Sequence, residues 1–423
     1  MEQLLHTIDK SVSTFHCVKE CERQLVEAGF FSLPLADTWN LQPGGKYFTE
    51  VFGSTLIAFK IPKDYKSSMP FHIAAAHTDW PTFKIKPNPE VESGRYGKLN
   101  VEVYGGPIYS TWLDRPLSIA GRVALKGKDY KKPEIKLVDF KRPLVVIPNL
   151  AIHFNREVNN GVALNPQKDM LPLLTVLPEE WKSEDYFLKL LANELDVHPD
   201  DILTFDLNLY NTEKCVLTGL EGDLLSAPRL DNITSVQACV SGIINGQSDD
   251  CISTCVLFDN EEIGSSTKQG ADSFILPQVL EKIILSLGEN RETYLNSILS
   301  GFMASADVAH AIHPNHSEVC DITNKIYPGD GVALKMHYGQ RYATDVEALG
   351  MIESICKEKD IPYICFLNRS DIRGGSTLGS IASSILTMKT VDIGVAILAM
   401  HSARELMALK DQEALTRIIT EIL

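Results

Sequence analysis

A mostly apolar run of seven residues, Ile252 to Phe258, is followed closely by two adjacent glutamates, and this junction constrains the fold more than any other segment. A run of this length is typical of a strand buried on both faces. Side chains alternate across a strand, so Glu261 and Glu262 are expected to point in different directions where the chain leaves the sheet. One carboxylate could then bind a cation while the other acts as a general base. An isolated glutamate pair is more often a solvated turn, so the other motifs must decide between the two interpretations.

Strand-like and helix-like segments alternate along much of the chain. This alternation predicts an α/β fold whose largely parallel central sheet is covered by helices on both faces. The strand candidates are 46–50, 54–59, 71–76, 252–258, 331–336, 363–367 and 391–398, and the helix candidates are 4–28 with a break near Ser11, 233–244, 277–287, 291–299, 343–358 and 402–410.

The segment between about residues 82 and 227 has a different composition. Prolines separate short β-prone stretches such as 118–125 and 135–138, which indicates a mostly β domain inserted into the α/β domain. A chain of 423 residues is also too long for one ordinary hydrophobic core. The predicted division is a catalytic α/β domain in two parts, 1–84 and 225–423, and an inserted β-rich domain, 85–224.

The overall charge and composition exclude several classes of protein. The formal net charge is −15 and the isoelectric point about 5.2, which argues against nucleic acid or an anionic membrane as a partner. No apolar run approaches the ~20 residues that span a bilayer, and no signal-peptide pattern is apparent at the N-terminus. The nine cysteines form no C-x-x-C pair, which favours reduced thiols. We therefore expect a cytoplasmic globular protein.

His77 and Asp79 follow the strand candidate 71–76, at the end of a strand where open α/β sheets bind ligands. An aspartate two residues after a histidine can accept the second ring N–H and orient the imidazole toward a metal. A histidine with a purely structural role explains a single motif of this kind more often. Both interpretations stay open at this point.

Asp231 lies immediately before the helix candidate at 233–244. It could be an N-cap, whose carboxylate accepts hydrogen bonds from the first N–H groups of the helix. A carboxylate could also bridge two cations, one through each oxygen. Taken alone, the sequence favours the cap.

A histidine-rich segment offers two different sets of ligands. Asp307 follows a run of small residues that ends at residue 306, and we favour it as a ligand. The other set consists of three histidines spaced by three residues, but Pro314 would break the helix that aligns them. These histidines are His310, His313 and His316.

His401 follows the strand candidate 391–398, where a single histidine is ordinarily a core residue. Considered together, however, the candidates supply two histidines, two aspartates and two glutamates at strand ends or helix starts of one sheet. That set suits two divalent cations about 3.5–4 Å apart with a bridging carboxylate. The set contains only nitrogen and oxygen donors and no cysteine. Zinc is therefore the preferred metal, and cobalt and manganese are alternatives.

Six motifs occur in order along the chain: AAAHTDWP, APRLDNITS, FDNEEIGS, SADVAHAIHPNH, GQRYAT and DIGVAILAMHSARE. Together they resemble the M18 metallo-aminopeptidases, the aspartyl aminopeptidase group. Similarity near the N-terminus, in STFHCVKECERQLVEAGF and GGKYF, extends the resemblance over nearly the whole chain. It implies an α/β/α zinc-peptidase sandwich with a mostly parallel central sheet and an inserted β-rich domain that serves oligomerisation.

The resemblance also implies a set of metal ligands. One metal would be bound by His77, Asp231 and Asp307. The second would be bound by Asp231, Glu262 and His401, so that Asp231 bridges the two.

The same resemblance implies roles for two carboxylates that do not bind metal. Glu261 matches the general base of the family, and Asp79 matches the carboxylate that orients His77. The family also has a cis peptide bond after the bridging aspartate, which here joins Asp231 to Asn232.

The segment Pro148–His153 matches a family segment whose histidine reaches the active site of a neighbouring subunit. The resemblance implies that His153 helps to bind the substrate or its oxyanion in trans. It also implies a homo-oligomer, which in the family is a tetrahedral dodecamer. Without the resemblance, a buried structural histidine is the simpler explanation.

Lys335 and Tyr342 match residues that line the substrate pocket of the family, where the lysine could pair with an acidic side chain. A surface lysine is the plain alternative. Residues 336–339 and 369–376 depart from the eukaryotic pattern of the family. The resemblance therefore implies aminopeptidase chemistry without fixing a preference for Asp or Glu.

The predicted function is a dinuclear metal-dependent aminopeptidase that removes the N-terminal residue of peptides, with Asp and Glu as candidate first residues. Glu261 would take a proton from the attacking water and pass it to the leaving amine. Two alternatives remain: a metal-dependent deacylase or glycan hydrolase on the same scaffold, and a non-catalytic metal-binding assembly protein. The presence of a base at Glu261 argues against the second alternative.

Overall fold

The computed structural model describes residues 1–177, 185–247 and 249–423. The chain forms two compact units, which we call the first unit and the second unit. The first unit consists of Met1–Asp79, Cys215–Met400 and Glu405–Leu423, and the second of Trp80–Lys214 and His401–Arg404.

Helices and strands are numbered in chain order. The α-helices of the described residues are α1 (Glu2–Lys10), α2 (Thr14–Glu27), α3 (Pro166–Asp169), α4 (Tyr186–Leu195), α5 (Leu230–Asn245), α6 (Ile275–Ser286), α7 (Arg291–Leu299), α8 (Val346–Glu358), α9 (Leu378–Ile385) and α10 (Leu409–Ile422). None of them combines the length and apolar content that crossing a bilayer requires.

The strands of the same residues are β1 (Phe31–Ser32), β2 (Lys46–Val51), β3 (Thr55–Lys60), β4 (Phe71–His77), β5 (Thr82–Ser93), β6 (Tyr96–Tyr104), β7 (Leu117–Asp129), β8 (Lys132–Asp139), β9 (Leu173–Val176), β10 (Ile202–Asn211), β11 (Val216–Thr218), β12 (Leu224–Ala227), β13 (Ile252–Phe258), β14 (Phe302–Ala306), β15 (Ala309–His310), β16 (Val332–Met336), β17 (Tyr363–Leu367), β18 (Lys389–Leu398) and β19 (Glu405–Ala408).

The first unit contains a 13-stranded sheet with a parallel centre. Its main path runs β1-β2-β3-β13-β4-β14-β18-β19-β12-β11. In addition, β15 and β16 pair with β18, and β17 pairs with β16. The four central strands β13, β4, β14 and β18 are parallel, whereas most pairs toward the edges are antiparallel. Every residue of β13 is buried, as expected of a central parallel strand. The predicted α/β class with a mostly parallel central sheet is confirmed.

A large apolar cluster covers one face of this sheet. It joins strand residues such as Ile73 and Val256 to residues of α6, α7 and α9, including Leu280, Ile298 and Leu378. Helix α5 also packs against β4 and β13, and α10 packs against α5. Helices therefore pack against the central strands, and the carboxyl ends of those strands carry the candidate site.

One glycine permits a close approach between β18 and the chain leaving β14. The backbone N–H of Asp307 donates to the carbonyl oxygen of Ile393 over 2.9 Å. A Cβ atom on the next residue, Gly394, would overlap the carbonyl oxygen of Asp307. Only glycine therefore fits at this position without moving Asp307.

The predicted helix at 402–410 is wrong. Residues Glu405–Ala408 form β19, which pairs antiparallel with β12 and β18, and the helix begins only at Leu409. Glu, Leu, Met and Ala all favour helices, but intrinsic propensity is weak beside two ladders of strand hydrogen bonds. The other predicted strands and helices of the first unit are present, with ends shifted by a few residues.

The second unit is built on a six-stranded sheet with the order β8-β7-β10-β5-β6-β9, in which all pairs are antiparallel. The predicted strands at 118–125 and 135–138 fall within β7 and β8. This unit has its own apolar core, which includes Phe83, Ile119, Leu207 and Phe187.

Candidate metal centre

Three neighbouring strands of the first unit end beside one another. β4 ends at His77, Asp307 directly follows β14, and Glu261 lies three residues beyond the end of β13. Because these strands are parallel neighbours, their carboxyl ends meet at one edge of the sheet, where α/β folds bind ligands. Strand topology therefore brings residues from distant parts of the chain together.

The imidazole of His77 is fully buried, with 1% of the side chain exposed, and its two nitrogens have different surroundings. Nδ1 lies 3.0 Å from the carbonyl oxygen of Asp79 and 3.4 Å from its carboxylate. Both are acceptors, so Nδ1 carries a proton. Burial alone would lower the pKa of His77, but Asp231, Asp307 and Asp79 raise it well above its usual value, so without a cation Nε2 carries a proton as well. A bound cation would take the place of that second proton. Nε2 lies 3.5 Å from carboxylate oxygens of both Asp231 and Asp307 and 3.9 Å from Glu261.

Asp231 is placed by the start of α5. Its backbone is not helical, and its peptide bond to Asn232 is cis, as the family resemblance implies. The side-chain amide of Asn232 donates to the carbonyl oxygen of Ala306 over 3.0 Å. This contact ties the start of α5 to the end of β14, beside Asp307.

The carboxylate of Asp307 is held through both oxygens. Oδ1 accepts a hydrogen bond of 2.8 Å from the backbone N–H of Val308 and faces His77 Nε2. Oδ2 lies 3.6 Å from the ammonium of Lys335, whose side chain is 1% exposed. Burial alone would raise the pKa of Asp307, but the charges of Lys335 and His77 and the Val308 hydrogen bond hold it well below its usual value.

Asp79 also fixes the glutamate pair. Its carboxylate accepts hydrogen bonds from the backbone N–H groups of Glu261 and Glu262, at 3.1 and 3.2 Å. Both glutamates are partly buried in a short 3₁₀ turn that begins after Asn260. The solvated-turn interpretation of this pair therefore does not apply.

The protonation states of the two glutamates reflect a crowded, buried cluster of acids. Burial raises the pKa of Glu261 to about 8; His77 opposes this shift, and Asp307, Asp79 and Asp231 reinforce it. Burial and Asp231 likewise raise the pKa of Glu262 well above its usual value. A bound cation would reverse these shifts, because it stabilises the ionised carboxylates.

Two groups of these side chains place one ligand atom each within 4.8 Å of one another: His77 with Asp231 and Asp307, and His77 with Glu261 and Glu262. The donor atoms are Nε2 of His77 and oxygens of several carboxylates. The other ring nitrogen of His77, Nδ1, is held by the acceptor oxygens of Asp79. Zinc and related divalent ions prefer such donors. The residues present therefore fit a divalent metal.

The histidine-rich alternative gains no support from the part of the chain that the structure describes. The ring centroids of His313 and His316 are 5.0 Å apart. However, neither residue nor His310 belongs to a group of three metal-ligand side chains among the described residues. Asp307, the residue favoured from the sequence, is the member of this segment that joins the cluster.

The two predicted pocket residues lie deeper than expected. Tyr342 is 4% exposed, and its hydroxyl accepts a hydrogen bond of 3.1 Å from the side-chain amide of Asn368. Lys335 Nζ lies 5.0 Å from the centroid of the Tyr342 ring. Neither is a surface residue, so the plain alternative for Lys335 does not hold.

The remaining predicted residues belong to the second unit. Nδ1 of His401 lies 3.1 Å from the carbonyl oxygen of Gly106, so in the neutral ring Nε2 bears the lone pair, as a metal ligand requires. His153 is exposed, together with its neighbours Ile152 and Phe154. It is therefore not the buried structural histidine that the sequence alone would favour.

Glu405 is a buried residue of the site that sequence analysis does not single out. Its carboxylate accepts a hydrogen bond of 3.0 Å from the backbone N–H of Asp231. Residues 405–408 are Glu, Leu, Met and Ala, which do not alternate between polar and apolar, so no local pattern in the sequence marks Glu405.

Comparison with known proteins links this geometry to a family. The family model described as Aminopeptidase I zinc metalloprotease (M18) matches residues 7–421. The chain is also 45% identical over 410 residues to the probable M18 family aminopeptidase 2 of Clostridium novyi (strain NT), covering 97% of this chain and 95% of the relative. Both matches take in nearly the whole sequence.

Solved structures show the same fold. A chain in the cryo-EM structure of the Ape4 and Nbr1 complex has a TM-score of 0.94 and 32% identity, covering 99% of this chain and 84% of that chain. The S. cerevesiae mApe1 dodecamer structure has a TM-score of 0.85 and 26% identity, covering 99% and 95% of the two chains.

Proposed function

This chain belongs to the M18 family of zinc metallo-aminopeptidases, and from that premise we propose that its strand-end residues hold two divalent cations for hydrolysis of the first peptide bond of a peptide. Membership makes the protein an aminopeptidase and a metallo-hydrolase. The observation that carries the proposal is the position of His77 Nε2, which faces carboxylates of Asp231, Asp307 and Glu261 within 3.9 Å.

The proposed ligands divide into two sets that share Asp231. His77, Asp231 and Asp307 hold one cation, and Asp231, Glu262 and His401 hold the other. Zinc is the proposed metal, and cobalt and manganese can take the same donors. When bound, the cations polarise the scissile carbonyl and make the attacking water more acidic.

Glu261 is the proposed general base. Its side chain is 16% exposed, so water can reach it, and its backbone is held by Asp79. Glu261 takes a proton from the attacking water and delivers it to the leaving amine. Asp79 acts on the same reaction indirectly, because it fixes both the His77 ring and the glutamate turn.

The substrate is proposed to be a peptide with a free N-terminus. Its α-ammonium group is attracted to the carboxylates of the centre, and this contact restricts cleavage to the first residue. A substrate whose amine is acylated loses that charge and is excluded.

His153 is proposed to act on the active site of a neighbouring subunit, where it binds the substrate or stabilises the oxyanion. Its exposure beside apolar side chains supports such a contact, since Phe154 is 81% exposed and Ile152 is 52% exposed. The chain is therefore proposed to form a homo-oligomer, with the mApe1 dodecamer as the arrangement to test.

A cytoplasmic location is proposed from the cysteines. The nine side chains are thiols, and six of them are buried. Thiols persist in a reducing compartment, whereas secreted proteins tend to pair them.

A panel of chromogenic substrates tests the proposal. Substrates beginning with Asp, Glu, Leu or Lys are assayed before chelation, after chelation, and after zinc, cobalt or manganese is added back. We expect cleavage of at least one free-amine substrate, loss of activity on chelation, and recovery with metal. Release of acetate from N-acetylated substrates, without cleavage of the free-amine ones, would favour the deacylase, and activity that resists chelation would contradict the metal mechanism. Relative rates within the panel decide whether Asp or Glu is preferred.

A further inference from the structure

Lys335 is a buried lysine whose ammonium is already engaged by the protein. Its Nζ lies 3.6 Å from Oδ2 of Asp307 and donates to the carbonyl oxygen of Val308 over 3.2 Å. The Tyr342 ring lies on another side, with its centroid 5.0 Å from Nζ. With 1% of the side chain exposed, the ammonium faces these groups rather than solvent.

A second buried carboxylate lies near the same lysine. Lys335 and Asp392 are directly opposite in the antiparallel register of β16 and β18, and Asp392 is fully buried. The Asp392 carboxylate is held by Thr377 Oγ1 and by the backbone N–H of Ala343, each at 2.6 Å. Two buried carboxylates that are themselves fixed in place therefore attract the ammonium of Lys335.

We propose that Lys335 is a positioning residue for the metal ligand Asp307, and that it does not read the side chain of the substrate. Lys335 occupies Oδ2, which leaves Oδ1 directed toward His77 Nε2, 3.5 Å away. The Val308 N–H donates to the same Oδ1 and fixes its orientation. This inference rests on the proposed function, because it takes Asp307 as a ligand.

The contacts explain why Lys335 is unsuited to bind an acidic substrate side chain. To do so, it would have to leave Asp307 and expose an ammonium that Tyr342 now covers. Leaving a buried carboxylate without its cation is unfavourable, so this exchange opposes binding. A lysine that orients a ligand instead affects every substrate equally, because it acts before any side chain is recognised.

The test compares Lys335→Met and Lys335→Arg with the wild-type chain. Zinc affinity is measured by competition with a chromophoric chelator, and kcat and KM are measured for substrates beginning with Asp and Leu. We expect Lys335→Met to lose about 10–100-fold in zinc affinity, the usual cost of removing a group that orients a ligand. We expect kcat to fall by a similar factor on every substrate that the wild-type chain cleaves, with KM changed by less than about threefold. Lys335→Arg keeps the charge and should recover part of both losses.

Lys282→Met is the matched control. Lys282 Nζ also donates to carbonyl oxygens, those of Leu35 and Asp37, and lies 4.4 Å from the centroid of the Trp39 ring. It has no place in the proposed metal centre, so its removal should leave zinc affinity unchanged. An equal loss in this control would overturn the inference, because it would show general destabilisation.

Two further outcomes would overturn the positioning role. One is zinc affinity within about threefold of wild type in Lys335→Met, since orienting groups usually contribute more. The other is a loss confined to the acidic substrate, which would make Lys335 a specificity residue. If Lys335→Met does not fold, as judged by circular dichroism, Lys335→Gln is measured in its place. If the wild-type chain cleaves no substrate, the proposed function fails, while the zinc competition still tests Lys335.

Discussion

Oδ1 of Asp79 accepts a hydrogen bond of 3.1 Å from the backbone N–H of Glu261. The other oxygen of the same carboxylate accepts from Glu262, and Oδ1 also lies 3.4 Å from Nδ1 of His77. One buried acid thus sets the position of an imidazole and of two glutamates that lie far away in the sequence. A change at Asp79 should therefore disturb metal binding and catalysis together.

Asp79→Asn tests this link with little change in volume. The amide keeps one acceptor oxygen, so it cannot serve the His77 ring and both backbone N–H groups. We expect zinc affinity and kcat/KM each to fall by about 10–100-fold. Chelator competition and steady-state kinetics measure the two effects. Asp64→Asn, a change at an exposed aspartate, is the control and should behave like wild type. A fully active Asp79→Asn protein would remove Asp79 from the mechanism.

The adjacent glutamates should have separable roles. Glu261→Gln removes the proposed base and is expected to keep bound metal while kcat falls by about 10²–10⁴-fold, the usual contribution of general acid–base catalysis. Glu262→Gln removes a proposed ligand and is expected to lose metal. Metal content by plasma mass spectrometry, together with kcat, distinguishes the two variants. The base would have to be reassigned if Glu261→Gln retained most of its turnover.

The sequence predicts the parallel centre of the sheet well, because local and tertiary preferences agree there. The strand at 252–258 is found with the predicted ends, and each residue of it is buried. The places of His77 and Asp307 at strand exits predict that they belong to a site, and the parallel neighbours β4 and β14 bring them together. A candidate site residue at the end of a central strand can be predicted from the sequence, because the neighbouring parallel strands end beside it.

The sequence does not predict the positions of residues that depend on tertiary contacts. The segment 402–410 contains good helix formers, yet its first half pairs as β19 and directs Glu405 toward Asp231. Lys335 looks like a pocket residue from its motif, but its burial follows from the pairing of β16 with β18. No local sequence pattern predicts which strand pairs with a given strand, so only the structure reveals these contacts.

The proposed action of His153 in trans can be tested by mixing two inactive variants. His153→Ala keeps Glu261, and Glu261→Gln keeps His153. In an oligomer assembled from both, some active sites combine Glu261 of one subunit with His153 of its neighbour. We expect the mixture, after dissociation and reassembly, to be more active than either variant alone. Activity equal to the average of the two would contradict a role between subunits, and sizing before and after reassembly confirms that oligomers form.

Lys60 should make the free energy of unfolding of the first unit depend on pH in the alkaline range. Burial lowers its pKa to about 8, and the ammonium of Lys46, opposite it across β2 and β3, contributes to that shift. In the unfolded chain the pKa is near its usual value of 10.5. Between these values unfolding takes up a proton, so this lysine makes the free energy of unfolding rise with pH.

Lys60→Met isolates that contribution. The variant lacks the titrating ammonium, so wild type should gain stability relative to the variant between pH 8 and 10.5. After allowance for solvent screening of a half-buried group, we expect a relative gain of roughly 1–2 kcal/mol. Urea denaturation of both proteins at several pH values measures the difference. A difference that stays constant over this window would show that Lys60 titrates alike in both states.

Gly394 should control the position of Asp307 through steric space alone. A Cβ atom at Gly394 would overlap the carbonyl oxygen of Asp307, so Gly394→Ala must push β18 away from the end of β14. Such overpacking typically costs about 1–3 kcal/mol of stability, and here it should also weaken zinc binding.

Gly350→Ala is the matched control, because Gly350 lies within α8 and a Cβ there has no atom within 4 Å. Alanine favours a helix over glycine, so this control should gain about 0.5–1 kcal/mol. Urea denaturation and zinc competition on both variants decide the matter: equal zinc affinity in the two would show that Asp307 tolerates the displacement.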